Sequence, residues 1–203
     1  DIDPQQSVDA EDALKTPADI ESALIGAYST LGGGSLYGNN LILLPDMIVA
    51  DSSLDWYGTF TSFSDIYNVG VDKFNAEAAR TWVAAYDAIH IANHILASSS
   101  IVDNADDKAR IEGEASFIRG LMYFELVRLY SNPDPAKNSN LGVPLVLTPS
   151  KTEEEASRKD PRATVDQVYA QVKTDLQSAI DKLPLENEVG RATVWAARAI
   201  LAR

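Results

Sequence analysis

The sequence contains no cysteine among its 203 residues. Its absence excludes a disulfide framework, a thiolate nucleophile and a zinc site with thiolate ligands. Basic residues are also few, because 17 Lys and Arg face 30 Asp and Glu and leave a formal net charge of −13. A surface of this sign repels phosphate backbones and anionic membrane surfaces, so we expect no nucleic-acid partner.

Long apolar runs are missing as well. No stretch approaches the roughly 18–20 residues that a bilayer-spanning helix needs. The N-terminal Asp1-Ile2-Asp3-Pro4 lacks the basic and apolar regions of a signal peptide. We therefore expect any membrane attachment to come from a lipid anchor ahead of Asp1, outside this chain. The last residues, 196–203, keep a helical pattern without a stop signal, and we expect the parent protein to continue beyond them.

What remains is the composition of a folded domain, with 45% hydrophobic and 23% charged residues. Five segments carry helical periodicity and strand alternation is scarce, so the fold class is all-α, built from irregular antiparallel helical pairs similar to tetratricopeptide repeats. We expect one domain over residues 1–203. It comprises an extended arm (1–16), an irregular loop region (35–75) and a long connection (131–163) between the helices.

The five helices are placed by their caps and apolar stripes. The first begins after Thr16 and ends at a glycine triplet, and the second covers about 76–97. The third runs from Asn104 to about Tyr130 with an apolar surface wide enough to be covered from two sides. The fourth begins at a Thr164/Gln167 capping box, and a fifth begins near 190.

Several motifs follow one another along the chain and distinguish it from a generic helical domain. They are Trp82, Tyr86, Ile89, Ala92 and Asn93; the runs 113–130 and 142–146; Arg162, Thr164, Val165, Val168 and Tyr169; Asp175, Leu176 and Ala179; Leu183 and Pro184; and 190–193 with Ala196 and Ala197. From about residue 20 to residue 203, the chain resembles the N-terminal half of the SusD/RagB family.

The resemblance implies a function. Family members are lipid-anchored proteins on the extracellular face of a Gram-negative outer membrane. Each sits as a lid on a TonB-dependent transporter of the SusC type and hands it oligosaccharides or, in some cases, peptides. The expected function is thus a non-catalytic glycan-binding subunit of an uptake system for polysaccharide utilization, with no cofactor and no metal. Family members continue into a second half that carries much of the ligand site, and we expect that half to be missing here.

The best candidate for a sugar-facing surface is the stretch 51–68. Flat aromatic rings cover the apolar face of a pyranose, while carboxylates and amides bond its hydroxyls. The candidate ligand-binding residues are Asp51, Asp55, Trp56, Tyr57, Phe60 and Asn68. An alternative remains open, because Trp56, Phe60, Phe63 and Tyr67 also recur at helical spacing and could form a core stripe.

Two other constellations permit chemistry. Asp46, Asp51 and Asp55 could supply the two carboxylates of a glycosidase, although acidic residues are abundant in this chain. His90 and His94 are four residues apart on a helix, as metal-binding histidines often are, but Ile91 stands where a zinc protease has glutamate. We expect neither catalysis nor a metal site.

Six polar or aromatic residues in the family-like helices are interpreted as structural: Trp82, Asn93, Glu114, Arg119, Asp175 and Arg191. Charged groups inside a helical pair usually satisfy one another or nearby backbone. We expect the Asn93 amide to bond an adjacent helix or loop, and Arg191 to bond Asp175. Two alternative functions remain open, namely a RagB-like peptide-binding protein and a helical-repeat adaptor for another protein.

Overall fold

The computed structural model describes residues 14–50, 54–132, 140–150 and 152–203. The all-α prediction is confirmed, with one small two-stranded sheet added. In chain order the elements are α1 (Pro17–Gly32), α2 (Asn40–Ile48), α3 (Thr61–Tyr67), α4 (Ala76–Ser98), a 3₁₀ turn (Ser99–Ile101), α5 (Ala105–Tyr130), β1 (Leu141–Pro144), α6 (Glu153–Ala156), β2 (Arg162–Thr164), α7 (Val165–Lys182) and α8 (Val194–Ala202). Among the helices so described, none has the length and apolarity to cross a bilayer.

Side-chain caps set the starts of the long helices, as the sequence predicts. The Thr16 hydroxyl accepts a bond from the Asp19 amide at the start of α1, and Thr164 and Gln167 form a reciprocal capping box on α7. Asn75 and Asn104 cap α4 and α5 through their side-chain oxygens. Each cap satisfies amides that a helix leaves without an internal partner.

Helix α5 is the centre of the fold. It packs against α4 on one side and α7 on the other, with α1 beyond α4 and α8 beyond α7. Two glycines let α7 approach closely, since a Cβ on Gly120 would lie 3.0 Å from the Asp175 Cβ and one on Gly113 would lie 3.0 Å from Leu183 Cγ. The buried residues of α5 cover both faces: Ile111, Gly113, Glu114, Ala115, Ser116, Phe117, Ile118, Gly120, Leu121, Met122, Tyr123, Phe124, Glu125, Leu126 and Val127.

Residues 35–75, which we call the excursion, are more regular than the sequence suggests, because they include α2 and α3. Helix α2 forms despite Pro45 in its interior. Its buried residues Leu41, Leu44 and Met47 are spaced three apart. Leu44 and Met47 form a small separate core with Ile66 of α3. Tertiary packing of this stripe outweighs the local cost of the proline.

The long connection between α5 and α7 carries strands β1 and β2, which pair antiparallel with Leu141 opposite Thr164. Side chains from the helices hold the extended segment that begins with β1. The Tyr86 hydroxyl donates to the Pro144 carbonyl at 2.7 Å. The Tyr123 hydroxyl donates to the Val146 carbonyl at 2.9 Å and accepts from the Val146 amide at 2.7 Å. The segment therefore lies against α4 and α5 as part of the folded domain.

Candidate functional site

The excursion carries the predicted ligand-binding residues. Its small core of Leu44, Met47 and Ile66 is flanked by the partly buried side chains of Leu43, Leu54, Trp56, Phe63 and Tyr67. Residues 54–60 have no regular secondary structure and lead into α3. Asp51 lies outside the described residues.

The aromatic residues of this segment face in two directions. Trp56 is partly buried, and its ring centroid lies 5.4 Å from that of Phe63. Gly58 covers the indole so closely that a Cβ there would stand 2.1 Å from a ring carbon. Tyr57 and Phe60 instead face solvent, with 89% and 69% of their surface exposed. Trp56 thus belongs to the small core, whereas Tyr57 and Phe60 present open rings.

The polar candidates Asp55 and Asn68 are both exposed. The hydroxyl of Tyr67, at the end of α3, donates to the Leu54 carbonyl at 3.3 Å and ties α3 to the residue before Asp55. The Asn68 amide nitrogen also donates to the Ser64 carbonyl at 2.8 Å. The excursion thus exposes a carboxylate, an amide and two aromatic rings, which are the types of group that a sugar site uses.

A pocket of about 620 Å³ lies where the excursion meets α4 and α5. Most of its wall is apolar: Leu44, Ile48, Ile66, Val69, Val71, Ala78, Ala79, Trp82, Leu129 and Tyr130. Two of its polar groups are already bonded within the protein, since the Tyr130 hydroxyl donates to the Ala78 carbonyl at 2.7 Å and the Asn75 amide bonds Ser62. The pocket suits an apolar group better than a sugar hydroxyl.

Of the candidate acid residues and histidines that the structure describes, Asp46, Asp55 and His90 are exposed and His94 is half-buried. Asp46 on α2 and Asp55 are exposed, and neither lines the pocket beside the excursion. The two histidines approach each other, with 3.1 Å between the His90 and His94 Nε2 atoms. Within the described part of the chain, no group of three His, Asp or Glu side chains is placed to hold a metal ion.

The six residues interpreted as structural all lie in the helical scaffold. Trp82 packs between Tyr86 and Tyr130, with ring centroids 5.0 Å from each. The Asn93 amide donates to the Val146 carbonyl at 2.8 Å. The prediction that Arg191 bonds Asp175 is wrong.

Asp175 pairs with a different arginine, from the helix packed against it. The Arg119 guanidinium donates to both Asp175 oxygens, at 3.0 and 2.6 Å, and to the Asn93 side-chain oxygen at 2.9 Å. Arg119 and Asp175 face each other because Gly120 allows α5 and α7 to approach closely at this level.

Arg191 belongs to a second network, which joins the two ends of the domain. It bonds Glu21 on α1, Glu188 at 3.0 Å and the fully buried Glu114 at 3.4 Å. Arg110 bonds the same two carboxylates, Glu21 at 3.0 Å and Glu114 at 2.9 Å. Burial and the neighbouring Glu114 charge raise the pKa of Tyr28, whose hydroxyl accepts from the Ala192 amide at 2.9 Å.

A sequence model of the SusD-like family, described as starch-binding and associating with the outer membrane, matches residues 1–203. The chain belongs to the SusD-like family. SusD-like protein P25 of Formosa agariphila is 28% identical over 99% of this chain, and the match covers 38% of P25. This SusD-like chain thus spans about two fifths of the length of that relative.

Solved structures share the helical framework of this SusD-like chain. A SusD superfamily protein from Bacteroides thetaiotaomicron superposes with a TM-score of 0.80 at 29% identity, over 93% of this chain and 42% of the other. A SusD-like carbohydrate binding protein from Bacteroides vulgatus gives a TM-score of 0.74 at 26% identity, over 93% of this chain and 40% of the other. The expected family is confirmed.

Sequence reasoning about this SusD-like chain missed the pocket and the residues at its rim. Phe74 is 78% exposed, and the Lys73 ammonium lies 4.9 Å from its ring centroid. Val69 and Val71, which also line the pocket, follow α3 directly. No local signal in the sequence indicates this pocket, because its wall is assembled from α2, α3, α4 and α5, which are distant from one another along the chain.

Proposed function

We propose that this chain forms part of the glycan-binding surface of a non-catalytic SusD-like uptake protein. The single observation that carries the proposal is the pair of open rings, Tyr57 and Phe60, on an excursion where Asp55 and Asn68 are also exposed. An exposed ring covers the C–H face of a pyranose, and the carboxylate and amide can bond its hydroxyls. The carbohydrate-binding relative from Bacteroides vulgatus supports the ligand class.

The remaining parts of the proposal rest on the family. The protein would be held by a lipid anchor at the extracellular face of the outer membrane and would hand an oligosaccharide to a TonB-dependent transporter of the SusC type. The exposed positions of Asp46 and Asp55 support binding without hydrolysis, because a glycosidase sets its two carboxylates on opposite sides of one enclosed bond. A transporter gene beside the gene for this protein would support the assignment.

A peptide ligand is the second candidate, and the apolar pocket favours it. Its bonded polar groups leave a cavity that an aliphatic or aromatic side chain can fill. Calorimetry of the protein against a panel of neutral oligosaccharides and a peptide pool separates the two candidates. Saturable heat with oligosaccharides alone supports glycan binding, and saturable heat with peptides alone overturns it.

Tyr57→Ala and Phe60→Ala should each weaken oligosaccharide binding by up to about tenfold, because an aromatic contact contributes about 0.5–1.5 kcal/mol. Both side chains are exposed, so the free energy of unfolding should change by less than about 0.5 kcal/mol. Trp195→Ala is the matched control, since Trp195 is also exposed, at 57%, but lies on α8. Titration calorimetry and thermal unfolding measure the two effects.

Trp56→Ala is expected to affect packing as well as binding, unlike Tyr57→Ala and Phe60→Ala. Because Trp56 packs on Phe63 in the small core, its loss should destabilise the excursion as well as weaken binding. Full affinity in both Tyr57→Ala and Phe60→Ala would contradict the proposed surface.

A further inference from the structure

Two buried asparagines join the excursion to the first turn of α4. Asn40 is the first residue of α2 and is 1% exposed. Asn75 is the cap residue of α4 and is 5% exposed. A buried amide whose partners are missing costs about 1–3 kcal/mol, so each amide strongly favours the one arrangement that satisfies it.

Asn40 bonds α2 to α4. Its amide nitrogen donates to the Glu77 carboxylate and to the Thr81 hydroxyl, both at 3.0 Å. The Asn40 side-chain oxygen accepts from the side-chain amide nitrogen of Asn39 at 3.0 Å. The second Glu77 oxygen accepts from Arg80 at 2.7 Å. Glu77 and Thr81 lie one turn apart on α4, so the Asn40 side chain fixes α2 at one height along that helix.

Asn75 bonds α3 to α4. Its amide nitrogen donates to the Ser62 carbonyl in the first turn of α3 at 2.8 Å. Its side-chain oxygen accepts from the Glu77 and Ala78 amides, both at 3.1 Å, and thereby caps α4. One side chain therefore starts α4 and holds α3 beside it.

We infer that Asn40 and Asn75 are positioning residues for the glycan-binding surface. They fix α2 and α3, and the segment that carries Tyr57 and Phe60 connects these two helices. The inference rests on the proposed function. Three buried residues, Leu44, Met47 and Ile66, form the separate apolar core of the excursion, while Leu36 and Leu41 pack into the main core. Apolar contacts are non-directional, so a core this small leaves orientation to the directional bonds of the two amides.

The first test is Asn40→Asp, which keeps the side-chain shape but sets a second carboxylate about 3 Å from Glu77. Repulsion should release α2, and affinity for an oligosaccharide that the wild-type protein binds should fall about tenfold. Adding Glu77→Gln to the same chain restores a bond with donor and acceptor exchanged. The double variant should therefore return to within about threefold of wild-type affinity.

Matched variants separate positioning from charge and from helix capping. Asn104→Asp adds the same charge at the cap of α5, away from the excursion, and should bind as wild type. Asn75→Asp keeps an acceptor that caps α4 but loses the donor to Ser62, so it should weaken binding about as much as Asn40→Asp.

Amide hydrogen exchange supplies a readout that a purely global effect would not produce. In Asn40→Asp, exchange should quicken in 41–48 and 61–70 while α5 and α7 stay as protected as in the wild type. Quicker exchange in all helices together would overturn the inference. Unchanged affinity in Asn40→Asp, or no recovery on adding Glu77→Gln, would also overturn it. Absence of saturable heat from the wild-type protein would instead remove the proposed function, and this inference with it.

Discussion

At the scale of single residues, the pairing of Arg119 with Asp175 is the firmest polar contact between α5 and α7. Asp175 is 2% exposed and accepts from both arms of the Arg119 guanidinium and, at 3.0 Å, from Gln171. A bidentate pair of this kind fixes the rotation of one helix against the other. Asn93, bonded to the same guanidinium, extends the link to α4.

Asp175→Ala should lower the free energy of unfolding by about 3–5 kcal/mol, because it leaves the Arg119 charge buried without its partner. Urea denaturation measures the loss. Replacing both members, Arg119→Met with Asp175→Leu, should recover much of it, since an apolar pair of similar volume removes the buried charge. Asp160→Ala is the control, because its partner Arg158 is largely exposed. A loss for Asp175→Ala no greater than that of the control would contradict the assigned role.

The identity of the arginine that pairs with Asp175 could not be predicted from sequence. Arg119 lies on α5 and Arg191 lies in the loop before α8, and both of these helices pack against α7. Only the rotation of α5 against α7 decides which of the two side chains faces Asp175. The orientation of Trp56 and Tyr57 was equally hidden. The two residues are neighbours in an irregular segment, and the sequence does not say which of the two side chains meets the core.

At the scale of elements, the end of α3 holds a backbone conformation that its sequence does not favour. Val69 has φ of +56°, and its amide bonds the Ile66 carbonyl at 3.0 Å. The next amide, of Gly70, reaches back to the Asp65 carbonyl at 2.8 Å. This helix ending normally takes glycine at the left-handed position, because a β-branched side chain is strained there.

Val69→Gly should raise the free energy of unfolding by about 1 kcal/mol, since the strain relieved exceeds the extra chain entropy that glycine loses. Little burial is lost, because Val69 is 71% exposed. Val189→Gly is the matched control, as that valine is fully exposed and has no left-handed conformation, and it should bring no gain. A thermal midpoint for Val69→Gly below that of the control would contradict the expectation.

The long helices could be predicted, whereas α2 and α3 could not. Helices α1, α5 and α7 begin within a residue of the positions that their caps indicate, because hydroxyl and amide caps are local features of the sequence. Helix α4 begins at Ala76, where its apolar stripe predicts, and the predicted fifth helix, α8, begins at Val194 rather than near 190. Helices α2 and α3 have no side-chain cap bond, and α2 contains Pro45. Their stability comes from contacts with each other and with α4, which no local pattern records.

At the scale of the whole molecule, an ion network ties the first helix to the loop before the last one. Glu21 on α1 pairs with Arg110 on α5 and with Arg191 ahead of α8. Burial alone would raise the pKa of Glu21, but bonds to the two arginines and their charges outweigh it and hold the pKa below the ordinary 4.5. Folding therefore favours the ionised form of this carboxyl.

The stability contributed by Glu21 should be present above about pH 4.5 and lost as the pH falls through the lower pKa of the folded state. Urea midpoints at about pH 7 and pH 3 should thus differ more for the wild type than for Glu21→Gln. Glu186→Gln, at an exposed position, serves as the control and should follow the wild type. Equal losses in the wild type and Glu21→Gln would show that this network does not carry the acid sensitivity.

Residues 144–146 are held in place by the side chains of Tyr86, Asn93 and Tyr123, and this determines which residues here can change without loss of the contact. The three side chains belong to α4 and α5 and bond only the backbone of the segment they hold. Its own side chains can be exchanged without breaking those bonds. The anchorage therefore depends on the sequence of α4 and α5 and not on that of the segment, so a change at Tyr86, Asn93 or Tyr123 should release residues that themselves tolerate substitution.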